Sequence, residues 1–247
     1  MISNTLLRPL LCLIRALVAL ITLLSVRLFL VLLDQHSSSN TPPKRQQDDP
    51  ATLAIFLGSG GHTAEMMRLV SNLDWNRFTS RTWIISSGDQ LSESKALELE
   101  EEIGSGHFRI LKIPRARRVK QSYLTSPFTT LYSLAFCLWH ISFSPLSYSR
   151  QRKFADLILL NGPGSCVPIA TSAFLPKLFF LPSPLMIYVE SLARTRRLSL
   201  SAKLVRPLVN RFFVQWESLR VELIKKEKGK NESWRLTARV EYQGWLV

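Results

Sequence analysis

The chain has 247 residues, enough for one full domain and an additional segment but not for two large domains. Apolar residues make up 46% of it, which excludes global disorder, and the formal net charge of +14 exceeds what solubility asks of a small domain. Such a balance points to an anionic partner: nucleic acid, an acidic membrane surface or a phosphate-bearing substrate.

The first predicted element runs from Leu10 to Leu33, LLCLIRALVALITLLSVRLFLVLL, with Arg15 and Arg27 as its only charges. As a helix it extends roughly 36 Å, enough for a hydrocarbon core of about 30 Å. An arginine at the bilayer centre costs about 2–3 kcal/mol, less where it reaches the interface. Arg15 lies near one end and can do so, whereas Arg27 is placed more awkwardly. A cleaved signal peptide would use Ala16–Val26 as its apolar region, but no small-x-small site follows soon after, so residues 1–34 read as an uncleaved single-span anchor. Arg8, Arg15 and the amino terminus on one side nearly balance Lys44 and Arg45 on the other, so loop charge barely chooses an orientation. Cys12, Cys137 and Cys166 are odd in number and far apart, without C-x-x-C or Cys/His ligand spacing. No disulfide framework, metal site or cofactor follows from them, and with the basic body they favour a cytosolic globular part. An N-x-S sequon, Asn231-Glu232-Ser233, matters only if that part faces a lumen. Residues 35–50, QHSSSNTPPKRQQDDP, read as a solvated linker.

From residue 51 to 247 strand-like and helix-like segments alternate. Ala51–Leu57, Thr82–Ser86, Phe108–Ile113, Asp156–Leu160, Leu185–Val189, Arg211–Gln215 and Arg239–Tyr242 are the predicted strands. His62–Leu73 carries Met66, Leu69, Val70 and Leu73 on one helical side, and Glu93–Ile103 is a charged helix stopped by Gly104. Wholly apolar strands separated by helix-length segments predict an α/β domain with one Rossmann-like, doubly wound parallel sheet. Pro127–Pro145 is aromatic and dotted with hydroxyls, and reads as an amphipathic helix against the core or a membrane surface rather than a second span. Prolines divide 167–189 into a helix, a loop and a strand.

The chemistry concentrates in two loops. Gly58-Ser59-Gly60-Gly61-His62-Thr63 lies between the first strand and the first helix, where glycines let a ligand approach the backbone and a helix start offers N–H groups to an anion. Its spacing is neither that of a Walker A loop nor G-x-G-x-x-G. His62 is its one titratable group, a candidate general base, phosphate ligand or packed histidine. Ser59 and Thr63 are candidates for the ligand or for capping the helix. Asn161-Gly162-Pro163-Gly164 repeats the arrangement after a later strand. Glu190, at the end of another strand, is a candidate base or sugar ligand, or else the ion-pair partner of Arg194, Arg196 or Arg197. Basic clusters at Arg115–Lys120 and Arg194–Arg206 fit anionic headgroups or a substrate pyrophosphate, with Arg194 the candidate beside Glu190. They lack any RNP, KH or base-stacking pattern, so no nucleic-acid partner is expected. Lys225–Lys230 reads as a solvated helix end.

Five motifs in order, LAIFLGSGGHTAEM, DLILLNGPGSCVPI, YVESLARTRRLSLSAK, FFVQW and YQGWLV, span nearly the whole domain. They resemble the anchor-subunit family of eukaryotic dolichol-linked chitobiose synthase, an enzyme similar to the bacterial lipid II synthase MurG divided into two polypeptides. The resemblance implies the N-terminal, acceptor-side half of a GT-B glycosyltransferase, at the endoplasmic reticulum membrane and the contiguous nuclear membrane, with its domain in the cytosol. It implies a smaller soluble catalytic subunit that binds UDP-N-acetylglucosamine, and joint addition of the second N-acetylglucosamine to GlcNAc-diphospho-dolichol early in N-glycan assembly. Gly58, Gly60, Gly61 and His62 match the family's glycine loop facing the interdomain cleft, and Asn161, Gly162 and Gly164 match its companion. The C-terminal tail docks the partner in this family, which places Tyr242, Trp245, Leu246 and Val247 at that contact. The chain departs from the family pattern in the two arginines of its span and in the prolines of 176–184. One doubly wound domain holds an acceptor site but no second nucleotide-binding unit, so activity alone is not expected; a pure membrane scaffold is the alternative.

Overall fold

The computed structural model describes residues 4–36, 49–117, 121–122, 124–148, 152–227, 236–244 and 246. Seven strands, β1 (Thr52–Leu57), β2 (Ser80–Ser86), β3 (His107–Ile113), β4 (Leu157–Asn161), β5 (Leu185–Val189), β6 (Arg211–Phe213) and β7 (Val240–Glu241), pair in the order β3-β2-β1-β4-β5-β6-β7. Every pairing is parallel, so the predicted doubly wound sheet is present. Alternate residues of the apolar strands face two separate cores. Leu53, Ile55 and Leu57 of β1 with Trp83 and Ile85 of β2 pack against Met66 and Val70 of α2 (Gly61–Val70) and Ala96 of α3 (Gln90–Ile103). On the opposite face Ala54, Phe56, Ile158, Leu160, Met186 and Tyr188 pack against Ile169, Ala170 and Ala173 of α6 (Cys166–Leu178) and Ala202 and Val205 of α7 (Leu200–Val205). Strand order reverses between β1 and β4, which creates a crevice at their carboxyl ends.

Several boundaries differ from expectation for local reasons. α3 starts at Gln90 instead of Glu93 because the Asp89 carboxylate caps it, accepting from Ser92 N–H at 3.2 Å. α2 starts at Gly61 and ends at Val70, where the chain turns through a bond from Leu73 N–H to the Val70 carbonyl. β6 stops at Phe213 and β7 holds only two residues, so the predicted ends Gln215, Arg239 and Tyr242 fall outside the ladder. Asp156 precedes β4. Its carboxylate accepts from Thr52 N–H and hydroxyl at 2.7 and 2.9 Å and pairs with Lys153 at 2.7 Å, joining the starts of β1 and β4.

Burial raises the Asp156 pKa, but Lys153 and the Thr52 bonds outweigh it and hold the group at about 2, below its ordinary 3.8. A depressed carboxylate stabilises the fold above its unfolded pKa, and that contribution is lost as pH falls toward 2. Asp156→Asn is therefore expected to cost about 1–2 kcal/mol at neutral pH, after allowance for solvent screening. Thermal unfolding of both chains should show the gap closing between about pH 4 and pH 2.

α1 (Asn4–His36) is long and apolar enough to cross a membrane. It runs on through Gln35 and His36, which the sequence assigned to the linker, and its last turns dock on the domain. Gln35 donates to the carbonyls of Leu208 and Val209, and Val31 is buried. Arg27 donates to the carbonyls of Lys177 and Leu178 at 3.0 and 3.3 Å and lies over the Phe180 ring. These are the terminal carbonyls of α6, where a cation is favoured by the helix dipole. The awkward arginine of the apolar stretch is thus a docking residue, and Leu10–Val26 is the exposed portion.

Pro127–Pro145 forms α4 (Ser126–Cys137), a π-helical segment (Leu138–Phe143) and α5 (Ser144–Tyr148). Cys137 and Ile141 of this stretch join the core, yet large apolar side chains also line its outward face. Ser133 and Ser142 are buried and donate to the carbonyls of Pro114 and Ser172, whereas Phe128 is 75% and Trp139 64% exposed, with Leu131, Tyr132 and Phe143 also outward.

Candidate functional site

The two glycine loops follow β1 and β4, the neighbouring strands at which the order reverses, and they interlock there. A Cβ on Gly58 would stand 2.4 Å from Cδ of Pro163, so the first loop accepts the second only with glycine at this position. Gly162 adopts φ 88°, and a Cβ there would stand 2.2 Å from Nδ1 of His62. The His62 ring therefore rests directly on the Gly162 backbone. Gly60, Gly61 and Gly164 face open space and form the mouth. The first helical bonds are Thr63 N–H to the Gly60 carbonyl and Cys166 N–H to the Pro163 carbonyl, so the N–H groups of Gly61, His62, Gly164 and Ser165 precede them. Two helix starts, those of α2 and α6, thus present backbone donors beside one another.

A polar network lies under this mouth. His62 Nδ1 is 3.1 Å from Oδ1 of the wholly buried Asn161. Asn161 Nδ2 donates to Glu65 Oε2 at 3.0 Å and to the Val189 carbonyl at 3.3 Å. Ser191, just after β5, donates its hydroxyl to Glu65 Oε1 at 2.8 Å. Glu65 Oε2 lies 4.0 Å from His62 Nδ1. Four residues from three parts of the chain thus converge. Glu65 and Ser191 are absent from the sequence-predicted set, although Glu65 stands three residues after His62, on the same helical face.

Other predicted site residues lie elsewhere. Thr63 is buried with its hydroxyl 2.6 Å from Ser92, whose own hydroxyl donates to Asp89, so it ties α2 to α3 below the mouth. Gly60 occupies the cap position of α2 without a side-chain bond, so neither Ser59, at φ 21°, nor Thr63 caps that helix. Glu190 is only 1% exposed and accepts from the N–H groups of Ser191 and Ser199 and from the Ser199 hydroxyl. Burial pushes its carboxyl up, with the serine bonds and the Arg194 charge acting the other way. Ser201 and Tyr188 donate to the Gly162 carbonyl from this same cluster, so Glu190 supports the second loop from beneath. Arg194 is exposed on the turn that follows. Tyr242 packs partly against the core, Leu246 is half-buried, and Trp245 and Val247 lie outside the described residues, as does Asn231.

Among the described residues no group of three or more His, Cys, Asp or Glu side chains is placed to hold a metal. Cys137 and Cys166 are free and buried, and burial pushes the Cys137 thiol up to about 12. A separate groove of about 930 Å³ lies at the amino ends of β4 to β6, beside Arg27, Asp34 and Lys177, at the other sheet edge from the glycine loops.

An all-parallel sheet with its loops crossing at the β1/β4 switch point defines a Rossmann-like α/β domain, here carrying an apolar N-terminal helix that fits a membrane anchor. Residues 53–230 match the family described as oligosaccharide biosynthesis protein Alg14 like. The chain is 42% identical over 227 residues to the UDP-N-acetylglucosamine transferase subunit ALG14 of Candida albicans, covering 92% of each. It is 37% identical over 176 residues to the human subunit of that name, covering 68% of this chain and 77% of the other. Among solved structures, a UDP-N-acetylglucosamine 2-epimerase aligns with 74% of this chain and 45% of its own length, at 14% identity and a TM-score of 0.49. The chain belongs to the Alg14 family.

Proposed function

We propose that this chain is the membrane-anchoring, acceptor-side subunit of a two-chain N-acetylglucosaminyltransferase. With a soluble UDP-GlcNAc-binding catalytic subunit it adds the second GlcNAc to GlcNAc-diphospho-dolichol at the cytosolic face of the endoplasmic reticulum. The observation that carries this reading is the pair of interlocked glycine loops with His62 at their junction. The relatives bear the name of a UDP-N-acetylglucosamine transferase subunit. The described residues hold one sheet with one switch point between β1 and β4, which supports a donor site carried by the soluble partner.

In this reading the N–H groups at the starts of α2 and α6 hold the acceptor diphosphate. His62 takes the proton of the acceptor hydroxyl as that oxygen bonds to the donor's anomeric carbon and UDP departs with the electron pair of the broken bond. The exposed apolar side of α4 and the π-helical segment supports a membrane-apposed domain, since Phe128, Leu131, Tyr132 and Trp139 face outward beside Arg115 and Arg117.

Transfer from UDP-GlcNAc to a GlcNAc-diphospholipid, measured with purified chains, tests the proposal. Product is expected only when the full chain and its soluble partner are combined. His62→Ala is expected to lower kcat by about 10²–10⁴-fold without loss of the complex. Full activity from this chain alone, or wild-type turnover in a folded His62→Ala complex, would sink it, the latter leaving only a scaffold.

A further inference from the structure

Asn161 cannot turn its amide either way. Its Nδ2 faces the Glu65 carboxylate and the Val189 carbonyl, both of which only accept, and the residue has no contact with solvent. Reversing the amide would set its oxygen against two acceptors and leave them unpaired in a buried site, so Oδ1 is held toward His62. Oδ1 only accepts, which requires the hydrogen of the 3.1 Å contact to reside on His62 Nδ1. A neutral imidazole protonated at Nδ1 carries its lone pair on Nε2. The Ser191 hydroxyl completes the chain by fixing Oε1 of Glu65, which leaves Oε2 for Asn161.

We propose that Glu65 is the positioning residue that sets the tautomer of His62, acting through the buried Asn161 amide and held in place by Ser191. The proposal deepens the preceding one, since a lone pair on Nε2 is what a general base at the mouth requires, but it stands on geometry that does not involve the substrate.

The test uses the full chain, labelled with ¹⁵N-histidine and held in a lipid nanodisc, with the His62 resonances assigned by their loss in His62→Gln. In the wild-type chain neutral His62 should show the Nδ1–H tautomer. Glu65→Ala should shift it toward Nε2–H, because the shorter of the two bonds that hold the Asn161 amide is lost and only the 3.3 Å contact with the Val189 carbonyl then opposes its turn. Glu65→Gln should keep Nδ1–H, since the glutamine oxygen still accepts from Asn161 and its amide donates to Ser191. An Nε2–H tautomer in the wild-type chain overturns the proposal without recourse to any variant. An unchanged tautomer in folded Glu65→Ala overturns it too, and reduces Glu65 to a direct ion-pair partner of His62. The transfer assay on the assembled complex separates this from the functional reading. Glu65→Ala should lower kcat by about 100-fold with KM nearly unchanged, and Glu65→Gln should restore most of it. A tautomer that shifts without loss of kcat supports the positioning role and overturns His62 as the base.

Discussion

With His62 as the proposed general base, Gly162→Ala is expected to abolish most of the transfer activity while leaving a chain that still folds. The new Cβ would stand 2.2, 2.4 and 2.5 Å from Nδ1, Cγ and Cε1 of the imidazole, inside any tolerable contact. The ring cannot slide away without giving up Asn161 Oδ1, and the backbone beneath it is held by Tyr188 and Ser201. Alanine at φ 88° adds strain, so the total cost to stability is about 1–3 kcal/mol. Displacing a general base lowers kcat by about 10²–10⁴-fold. The two effects separate in the double variant His62→Ala, Gly162→Ala. Removing the ring removes the collision, so the double variant should regain the stability lost to it and keep only the backbone strain. Its turnover should match that of His62→Ala alone. Thermal unfolding and transfer rates on the four chains of this cycle provide the check, and fully additive losses of stability would contradict the packing described.

Glu100→Ala is expected to be strongly destabilising, although it lies far from the glycine loops. Arg81 and Glu100 are 2% and 6% exposed and meet through contacts of 2.5 to 3.0 Å, with Trp83 Nε1 donating to the same carboxylate. Arg81 also donates to the carbonyls of Phe78 and Ser105, which ties β2 to the chain entering β3. Removing one partner leaves a buried, uncompensated charge and costs about 3–5 kcal/mol, or roughly 10 °C in Tm for a domain of this size. The pair itself contributes less than that figure suggests. Arg81→Met with Glu100→Leu removes both charges, and its Tm should fall well short of the loss in Glu100→Ala. Equal losses in the single and double variants would show that the pair, not the orphaned guanidinium, carries the stability.

Much of the scaffold was legible because its determinants are local. β1, β4 and β5 are almost wholly apolar runs, the pattern that burial on both faces favours. Glycines after β1 and β4 mark turns that other residues resist, which placed both loops correctly between a strand and a helix. The apolar length of α1 against the thickness of a bilayer needs no tertiary contact at all. Errors gathered at element ends, where a cap such as Asp89 or a two-residue ladder such as β7 decides the limit.

Residue roles were less legible. Thr63, a candidate ligand or cap by sequence, is bonded to Ser92 in the next helix, while Glu190, a candidate base, sugar ligand or ion-pair partner, is a buried support for Gly162. Glu65 went unremarked because its partners, Asn161 and Ser191, lie 96 and 126 residues further along the chain. Arg27 looked like a burden on the membrane span until its partners at the end of α6, about 150 residues away, gave it one. By itself the sequence determined the span-length apolar helix, the doubly wound α/β class, the two glycine loops and the family resemblance, since periodicity, apolar length and steric limits act over a few neighbouring residues. Only the tertiary structure decided which polar groups meet under those loops and which are spent on packing. A hydrogen bond between distant side chains exists only after the sheet has closed and excluded water from around it.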